Sequence, residues 1–287
     1  MAVGMPDVSA SGSASRPTRR RKIGIIGTGK MGEALVAGLL RSGSASKDDL
    51  LATDALPERR QHMARNYGIT CLEDNAELVK LCRTVIIAVQ PRDMRAVLAS
   101  IRSALTEEHL LVSIAAGVTS GFILRELGKP QPLIRAMPNN PCLVGEGMTA
   151  LAPSPGVSPE QLENAKRIFA SVGRAVVAEE RYFDAITGLS GSGPAYVYLM
   201  VEALADGGVR MGLPKSLALL LAAQTMLGSA KMVLSRTENP AKLRDEVVTP
   251  AGTTAEGIYE LEKAGVRAAL MTAVEKATLR AASLAST

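Results

Sequence analysis

The chain contains no tryptophan, three phenylalanines and five tyrosines, so aromatics make up 3% of its 287 residues. Its core must be packed from Ala, Leu, Val, Ile and Met, a mixture that favours helices and close helix–helix approach. Two histidines, His62 and His109, are too few for a His-rich metal site, and neither stands in sequence near a cluster of possible ligands; no metal is expected. Three cysteines (Cys71, Cys82, Cys142) are odd in number and lack metal-type spacing, so they read as reduced thiols of a cytoplasmic protein. No unbroken apolar run reaches the roughly 18 residues of a membrane span. The longest, Leu213 to Leu227, is interrupted by Pro214, Lys215 and Gln224. Net charge is +5, and Arg16, Arg19, Arg20, Arg21 and Lys22 supply five positive charges by themselves. The remainder is near neutral, so neither a membrane nor a nucleic-acid partner is expected.

What is present falls into two halves, and the length allows two domains. Residues 1–21, rich in Ser, Ala, Gly and Arg without periodicity, read as a disordered tail. Its Arg- and Ser-rich composition leaves a transit peptide as the lesser alternative, against which stand its shortness and want of an amphipathic pattern, and it lacks the apolar core of a secretion signal. From Lys22 to about residue 180, short apolar runs alternate with helical patterns. The runs are Lys22–Ile26, Leu50–Thr53, Thr84–Val89, Leu110–Ile114 and Leu133–Ala136, with edge strands expected at Met148–Leu151 and Ala175–Ala178. Such alternation implies βαβ units and a mainly parallel sheet. Ser158, Pro159 and Gln161 mark a helix start with a capping box. From residue 181 to 287 strand signals cease, and helices are expected at about 194–208, 214–235, 240–247, 254–263 and 266–284. Several are apolar on more than one face, more than about 100 residues can hide alone, so a second subunit is expected to cover them.

Gly27-Thr28-Gly29-Lys30-Met31-Gly32 follows Ile26 at the end of a strand and opens a helix, the context that makes G-x-G-x-x-G a dinucleotide-binding fingerprint of a Rossmann-type doubly wound sheet. Asp54 ends the second strand, 22 residues after Gly32, where an acid binds the adenosine ribose of NAD. Arg59 and Arg60 follow closely and suit the 2′-phosphate of NADP instead; the choice stays open. Ala88-Val89-Gln90-Pro91 and Ala115-Ala116-Gly117 end two further strands, where ligands of open α/β sheets collect, although Pro91 is equally a helix starter. Met137-Pro138-Asn139-Asn140-Pro141 is a rigid polar turn at the same edge. Ser190-Gly191-Ser192-Gly193-Pro194 reads as a hinge or close-packed helix entry; with two histidines, neither near an acid motif, a serine nucleophile is not expected. Near the chain's end, Asp245-Glu246-Val247-Val248-Thr249-Pro250-Ala251-Gly252-Thr253-Thr254 turns into a helix, with Thr253 or Thr254 at the N-cap position and Glu256 in the first turn. That turn is either a capped helix and nothing more, or an anion site.

Together these motifs resemble those of the Δ1-pyrroline-5-carboxylate reductases, the family that makes proline in the last step of its biosynthesis. The matching pieces are Ile25 to Gly32, Ala88 to Pro91, Ala115 to Gly117, Met137 to Asn139, Asp184 to Tyr196, Ala203 to Val209 and Asp245 to Thr254. The resemblance covers about residues 22 to 284. It implies a Rossmann-type domain over 22–180 and an all-helical substrate and dimerisation domain over 181–287, interlocked in a homodimer or a larger assembly of such dimers. It implies reduction of a cyclic imine carboxylate by NADPH or NADH. By position Ile26, Gly27, Thr28, Gly29, Lys30, Met31, Gly32, Asp54, Arg59, Asn75, Ala88, Val89, Gln90, Pro91, Ala115, Ala116 and Gly117 would bind the cofactor. Glu246, Thr249, Gly252, Thr253 and Thr254 would bind the substrate, with the Thr254 hydroxyl on the imine nitrogen as the catalytic contact. Gln90 stands where relatives often have Lys, and Asp54 where NADPH-preferring relatives often have a small polar residue. A β-hydroxyacid dehydrogenase would need a Lys on the long interdomain helix, and Pro194 to Gly207 has none. A protein that only senses NAD(P) would leave the turn at 249–254 without a purpose.

Overall fold

The computed structural model describes residues 23–236 and 238–285. The expected tail and Lys22 lie outside the described residues. Eight strands form one sheet in the order β3-β2-β1-β4-β5-β6-β7-β8: β1 (Ile23–Ile26), β2 (Leu50–Thr53), β3 (Thr70–Leu72), β4 (Thr84–Ile87), β5 (Leu110–Ser113), β6 (Leu133–Met137), β7 (Gly147–Pro153) and β8 (Gly173–Val177). The first six are parallel and follow the doubly wound order 3-2-1-4-5-6. β7 returns antiparallel to β6, and β8 pairs parallel to β7.

Alternating side chains of each central strand enter two separate cores, as a pleated sheet buried on both faces requires. Ile25, Ile86 and Val112 pack on one face under α1 (Lys30–Arg41), α2 (Pro57–Tyr67) and α6 (Pro159–Ala170). Ile26, Ile87 and Leu111 pack on the other under α3 (Asn75–Leu81), α4 (Met94–Ile101) and α5 (Ser120–Leu127). The capping box at Ser158 and Gln161 forms as expected.

Two differences from the sequence reading stand out in this half. β3 was not expected: Thr70-Cys71-Leu72 is only three residues long and only partly covered, so it carries no apolar run to read. The strand expected over Thr84–Val89 stops at Ile87, because the chain turns there toward the helix opened by Pro91.

The helical half begins with α7 (Phe183–Ile186), which continues into a π-helical turn, Thr187–Gly191, that overlaps the first two residues of the hinge or helix entry expected at Ser190–Pro194. Phe183 is buried against Ala150 and Ala152 of β7 and lies under the Arg135 guanidinium at 4.8 Å. Arg135 pairs with Glu180 at 3.1 Å, and Glu180 also accepts the Ser120 N–H at 2.8 Å, so the connection between the halves is tied to the sheet. Then follow α8 (Gly193–Arg210), α9 (Lys215–Ser235), α10 (Pro240–Asp245), α11 (Thr253–Lys263) and α12 (Val266–Ala285). α10 ends two residues earlier than expected. The core between α8 and α9 is small, built from Ala205, Ala218 and Ala222. Around it large apolar side chains stand in the open, Leu199 at 66% and Leu220 at 65% exposure among them. By length and composition α9 is apolar enough to cross a membrane, contrary to the sequence reading. The reason is that Pro214 and Lys215 fall at the helix start, and after them Lys231 is the only charged residue in the helix. α8 and α12 also carry exposed apolar side chains, among them Leu204 and Met271, which the covering subunit expected from the sequence would hide.

Candidate active site

The nucleotide end is built by three glycines with different duties. Gly27 has φ +94°, and a Cβ there would meet the Ala88 carbonyl oxygen at 2.7 Å. The turn therefore needs glycine, and it sets Ala88 and Val89 of the β4 end against the loop. A Cβ on Gly32 would meet the Gly27 carbonyl oxygen at 2.1 Å, so the first turn of α1 lies directly on the loop. A Cβ on Gly29 would meet nothing within 4 Å. Gly29 is the N-cap residue of α1 and brings no capping side chain. The start of α1 is thus open, with N–H groups that have no intrahelical acceptor, and an incoming pyrophosphate can reach the backbone. Gly29 and Lys30 are exposed, Met31 half-buried, and Ile26 and Thr28 buried beneath them. The residues present fit a dinucleotide.

Asp54 is brought onto this loop from 26 residues away. Its Oδ2 accepts the Thr28 N–H at 2.7 Å and the Thr28 hydroxyl at 2.8 Å, and its Oδ1 accepts the Leu56 N–H at 3.0 Å. Burial would raise this carboxyl; those hydrogen bonds and the charge of Arg59 outweigh it and hold the group below the usual carboxylate range. Arg59 donates Nε to the Thr28 carbonyl at 2.9 Å, with Nη2 on the same oxygen, and Nη2 also pairs with Glu33 at 2.6 Å. Glu33 in turn meets His62 Nε2 at 2.7 Å and the Tyr67 hydroxyl at 2.9 Å. Burial would raise Glu33 as well, but bonds from Arg59, His62 and Tyr67 draw it down to about 2.

His62 therefore does stand beside an acid, which the sequence reading missed. Arg59, His62 and Asn66 lie three and four residues apart on one face of α2, a spacing that flags the face but not its partner. No group of three or more His, Cys, Asp or Glu able to hold a metal occurs among the described residues. Asn75 reaches the end of β2, but its amide is engaged: Oδ1 accepts from the Thr53 hydroxyl at 2.6 Å and Nδ2 donates to Ser100 at 3.1 Å. As placed, it braces β2 against α3 and α4.

At the other end of the crevice, Ala88 and Val89 are half-buried, and Gln90 and Pro91 exposed, beyond β4. Ala115 is buried, Ala116 exposed, and Gly117 turns the chain after β5 with φ +74°. Asn139, beyond β6, joins two stretches that the sequence reading treated apart. Its Nδ2 donates to the Ser190 carbonyl at 3.2 Å, and its Oδ1 accepts the Met148 N–H at 2.8 Å. The π-helical turn is thereby docked at the carboxyl edge of the sheet.

The turn before α11 is a β-turn closed by the Gly252 N–H on the Thr249 carbonyl at 3.0 Å. Pro250 occupies its second position, and Ala251 its third with φ +55°, the arrangement of a type II turn. Ala251 is the one positive-φ non-glycine among the described residues; held strain of this kind clusters at functional sites. A Cβ on Gly252 would meet Thr249 Oγ1 at 2.2 Å and the Thr249 carbonyl oxygen at 3.0 Å, so a side chain there would have to displace the Thr249 hydroxyl. Gly252, not Thr253 or Thr254, is the N-cap of α11. The turn delays the helix start by no residue beyond Gly252, so both threonines fall in the first helical turn with N–H groups that have no intrahelical acceptor. Thr253 is exposed and Thr254 half-buried. Glu246 pairs with Arg236 at 2.9 Å. Within one chain α11 packs on α12 and makes no substantial contact with the sheet, so the nucleotide loop and this turn are two separate parts of the molecule.

Comparison with known proteins bears on both parts. Residues 180–284 match the family model described as pyrroline-5-carboxylate reductase dimerisation, and residues 22–117 that of NADP oxidoreductase, coenzyme F420-dependent. The pyrroline-5-carboxylate reductase of Methanosarcina acetivorans is 42% identical over 92% of this chain and 98% of its own. That of Escherichia coli is 41% identical over 89% and 95%. The structure of the Coxiella burnetii enzyme superposes with a TM-score of 0.88 at 33% identity, covering 92% of this chain and 98% of that one. The Plasmodium falciparum enzyme with NADP bound gives 0.83 at 33% identity, over 93% and 99%.

Proposed function

Because the chain belongs to the pyrroline-5-carboxylate reductase family, we propose that it reduces 1-pyrroline-5-carboxylate to L-proline, the last step of proline biosynthesis. It is an NAD(P)H-dependent oxidoreductase acting on a carbon–nitrogen double bond, and a homo-oligomer built through its helical domain. The observation that carries this reading is identity of about 40% over nearly the whole chain, both functional parts included.

NAD(P)H, when bound, supplies the hydride that adds to the imine carbon. The chain's own task is then to hold two molecules together and to favour the charge change at nitrogen. Gly27, Gly29 and Gly32 let the backbone at the start of α1 take the pyrophosphate, with Thr28, Lys30 and Met31 forming the rest of the loop. Asp54 and Arg59 stand at the adenosine side, with Asn75 bracing the strand end behind them. Ala88, Val89, Gln90 and Pro91, and Ala115, Ala116 and Gly117, border the nicotinamide end with small or short surfaces.

The Thr253 and Thr254 N–H groups at the start of α11 take the substrate carboxylate, helped by the positive end of that helix. Gly252 and Thr249 shape the turn that presents them. The Thr254 hydroxyl hydrogen-bonds the imine nitrogen and stabilises it as it becomes an amine. Glu246, held by Arg236 at the end of α10, stands just before the same turn at the substrate end, and the proton that completes the amine comes from solvent. Since α11 does not reach the sheet of its own chain, the turn serves the nucleotide crevice of the partner in a homodimer.

The test is direct. Purified protein is mixed with 1-pyrroline-5-carboxylate and NADH or NADPH, and absorbance is followed at 340 nm. Loss of absorbance with formation of proline is the expected result; none with either cofactor would leave only a nucleotide-binding protein.

A further inference from the structure

We infer that Asp54 makes this site select NADH over NADPH, because the two arginines able to offset it, Arg59 and Arg60, are already committed to other carboxylates. The inference rests on the reductase reading and names its cofactor.

Asp54 ends β2, where a sheet of this order holds the adenosine ribose. A carboxylate oxygen has two acceptor positions. The Oδ2 of Asp54 uses both on Thr28, whereas Oδ1 receives the Leu56 N–H and keeps one position. That position accepts a hydrogen bond from a ribose hydroxyl. It repels the oxygens of a 2′-phosphate, which bring negative charge and no donor.

A free guanidinium nearby would reverse the preference. Arg59 gives Nε and Nη2 to the Thr28 carbonyl and pairs with Glu33. Glu33 is itself held by His62 and Tyr67, so freeing Arg59 means breaking a four-residue network. Arg60 donates Nη1 to the Asp54 carbonyl at 2.8 Å and pairs with Glu73 at 2.5 Å. Glu73 is largely exposed, so this second pair is the weaker one, and the bond to the Asp54 carbonyl is what anchors Arg60. Two guanidiniums thus face three carboxylates, Asp54, Glu33 and Glu73, and with His62 neutral the cluster keeps a net negative charge.

The experiment titrates the full chain with NADH and, separately, NADPH in the absence of substrate, and reads the nicotinamide fluorescence. NADH binds at least about tenfold more tightly than NADPH. In Asp54→Asn, which keeps an oxygen for Thr28 but removes the charge, the ratio narrows by about tenfold, chiefly through tighter NADPH binding. Glu33→Gln removes the charge paired with Arg59 without touching Asp54, leaves more of the Arg59 positive charge to act on a 2′-phosphate and also tightens NADPH, so the inference stays testable if the loop fails in the first variant. Equal or tighter NADPH binding by the unaltered chain, or a ratio unmoved by both substitutions, overturns the selectivity and leaves the reductase reading standing. Binding of neither nucleotide removes both.

Discussion

A Cβ on Gly32 would stand 2.1 Å from the Gly27 carbonyl oxygen, while one on Gly29, three residues earlier, would meet nothing within 4 Å. One motif therefore contains a glycine needed for folding and a glycine needed for access. Gly32→Ala should lift α1 off the loop, lower stability by about 1–3 kcal/mol and abolish NAD(P)H binding. Gly29→Ala should leave the urea midpoint unchanged and weaken NAD(P)H binding, because its methyl group covers the open helix start. Urea unfolding and nucleotide fluorescence separate the two; a Gly32→Ala protein as stable as the parent would disprove the close-packing account.

Glu33 gives a pH dependence with a definite sign. Its carboxyl is drawn from 4.5 down to about 2 in the folded chain. Its ionised form thus contributes stability that is complete above about pH 4.5 and is lost as pH falls toward 2. The whole shift corresponds to at most about 3 kcal/mol. Unfolding of the parent and of Glu33→Gln should differ most near pH 6 and converge as the pH approaches 2. A gap that stays constant over that range would show that the network around Glu33 does not titrate with it.

Gly188 is where α12 rests on the π-helical turn. A Cβ there would meet Thr278 Oγ1 at 2.4 Å and the Val274 carbonyl oxygen at 2.8 Å. Gly188→Ala should cost about 1–3 kcal/mol by displacing α12. Thermal unfolding followed by circular dichroism should show the loss in the helical half first.

These contacts also show how far the sequence could be read. The runs at β1, β2, β4 and β5 are legible because strands buried on both faces must be apolar throughout, and the glycine motif between β1 and α1 names its own ligand. Long-range partnerships leave no such trace. Asp54 with Thr28, His62 with Glu33, and Asn139 with Ser190 are 26, 29 and 51 residues apart. Nothing in local spacing pairs them. The start of α11 was misplaced by one or two residues because threonine is the better N-cap by preference, whereas the type II turn through Ala251 puts Gly252 there. The π-helical turn at Thr187–Gly191 has no periodicity of its own and depends on α12 and Asn139 to hold it.

The exposed leucines of α9 predict an oligomer that one charge can open. Leu220 is 65% exposed in the single chain. Leu220→Glu should yield a smaller species by light scattering, with lost reductase activity but a sheet domain that still binds NAD(P)H. Unchanged mass would place the subunit contact elsewhere.

The measurement that bears most directly on the account is kcat/KM for 1-pyrroline-5-carboxylate in Thr254→Ala and Thr254→Ser, with NAD(P)H affinity measured beside it. Loss of one hydrogen bond to a nitrogen gaining charge predicts a fall of about 10- to 100-fold in the alanine variant, most of it restored by serine, with nucleotide affinity unchanged. An alanine variant with the parent's kcat/KM would contradict the role given to Thr254 and to the turn that carries it.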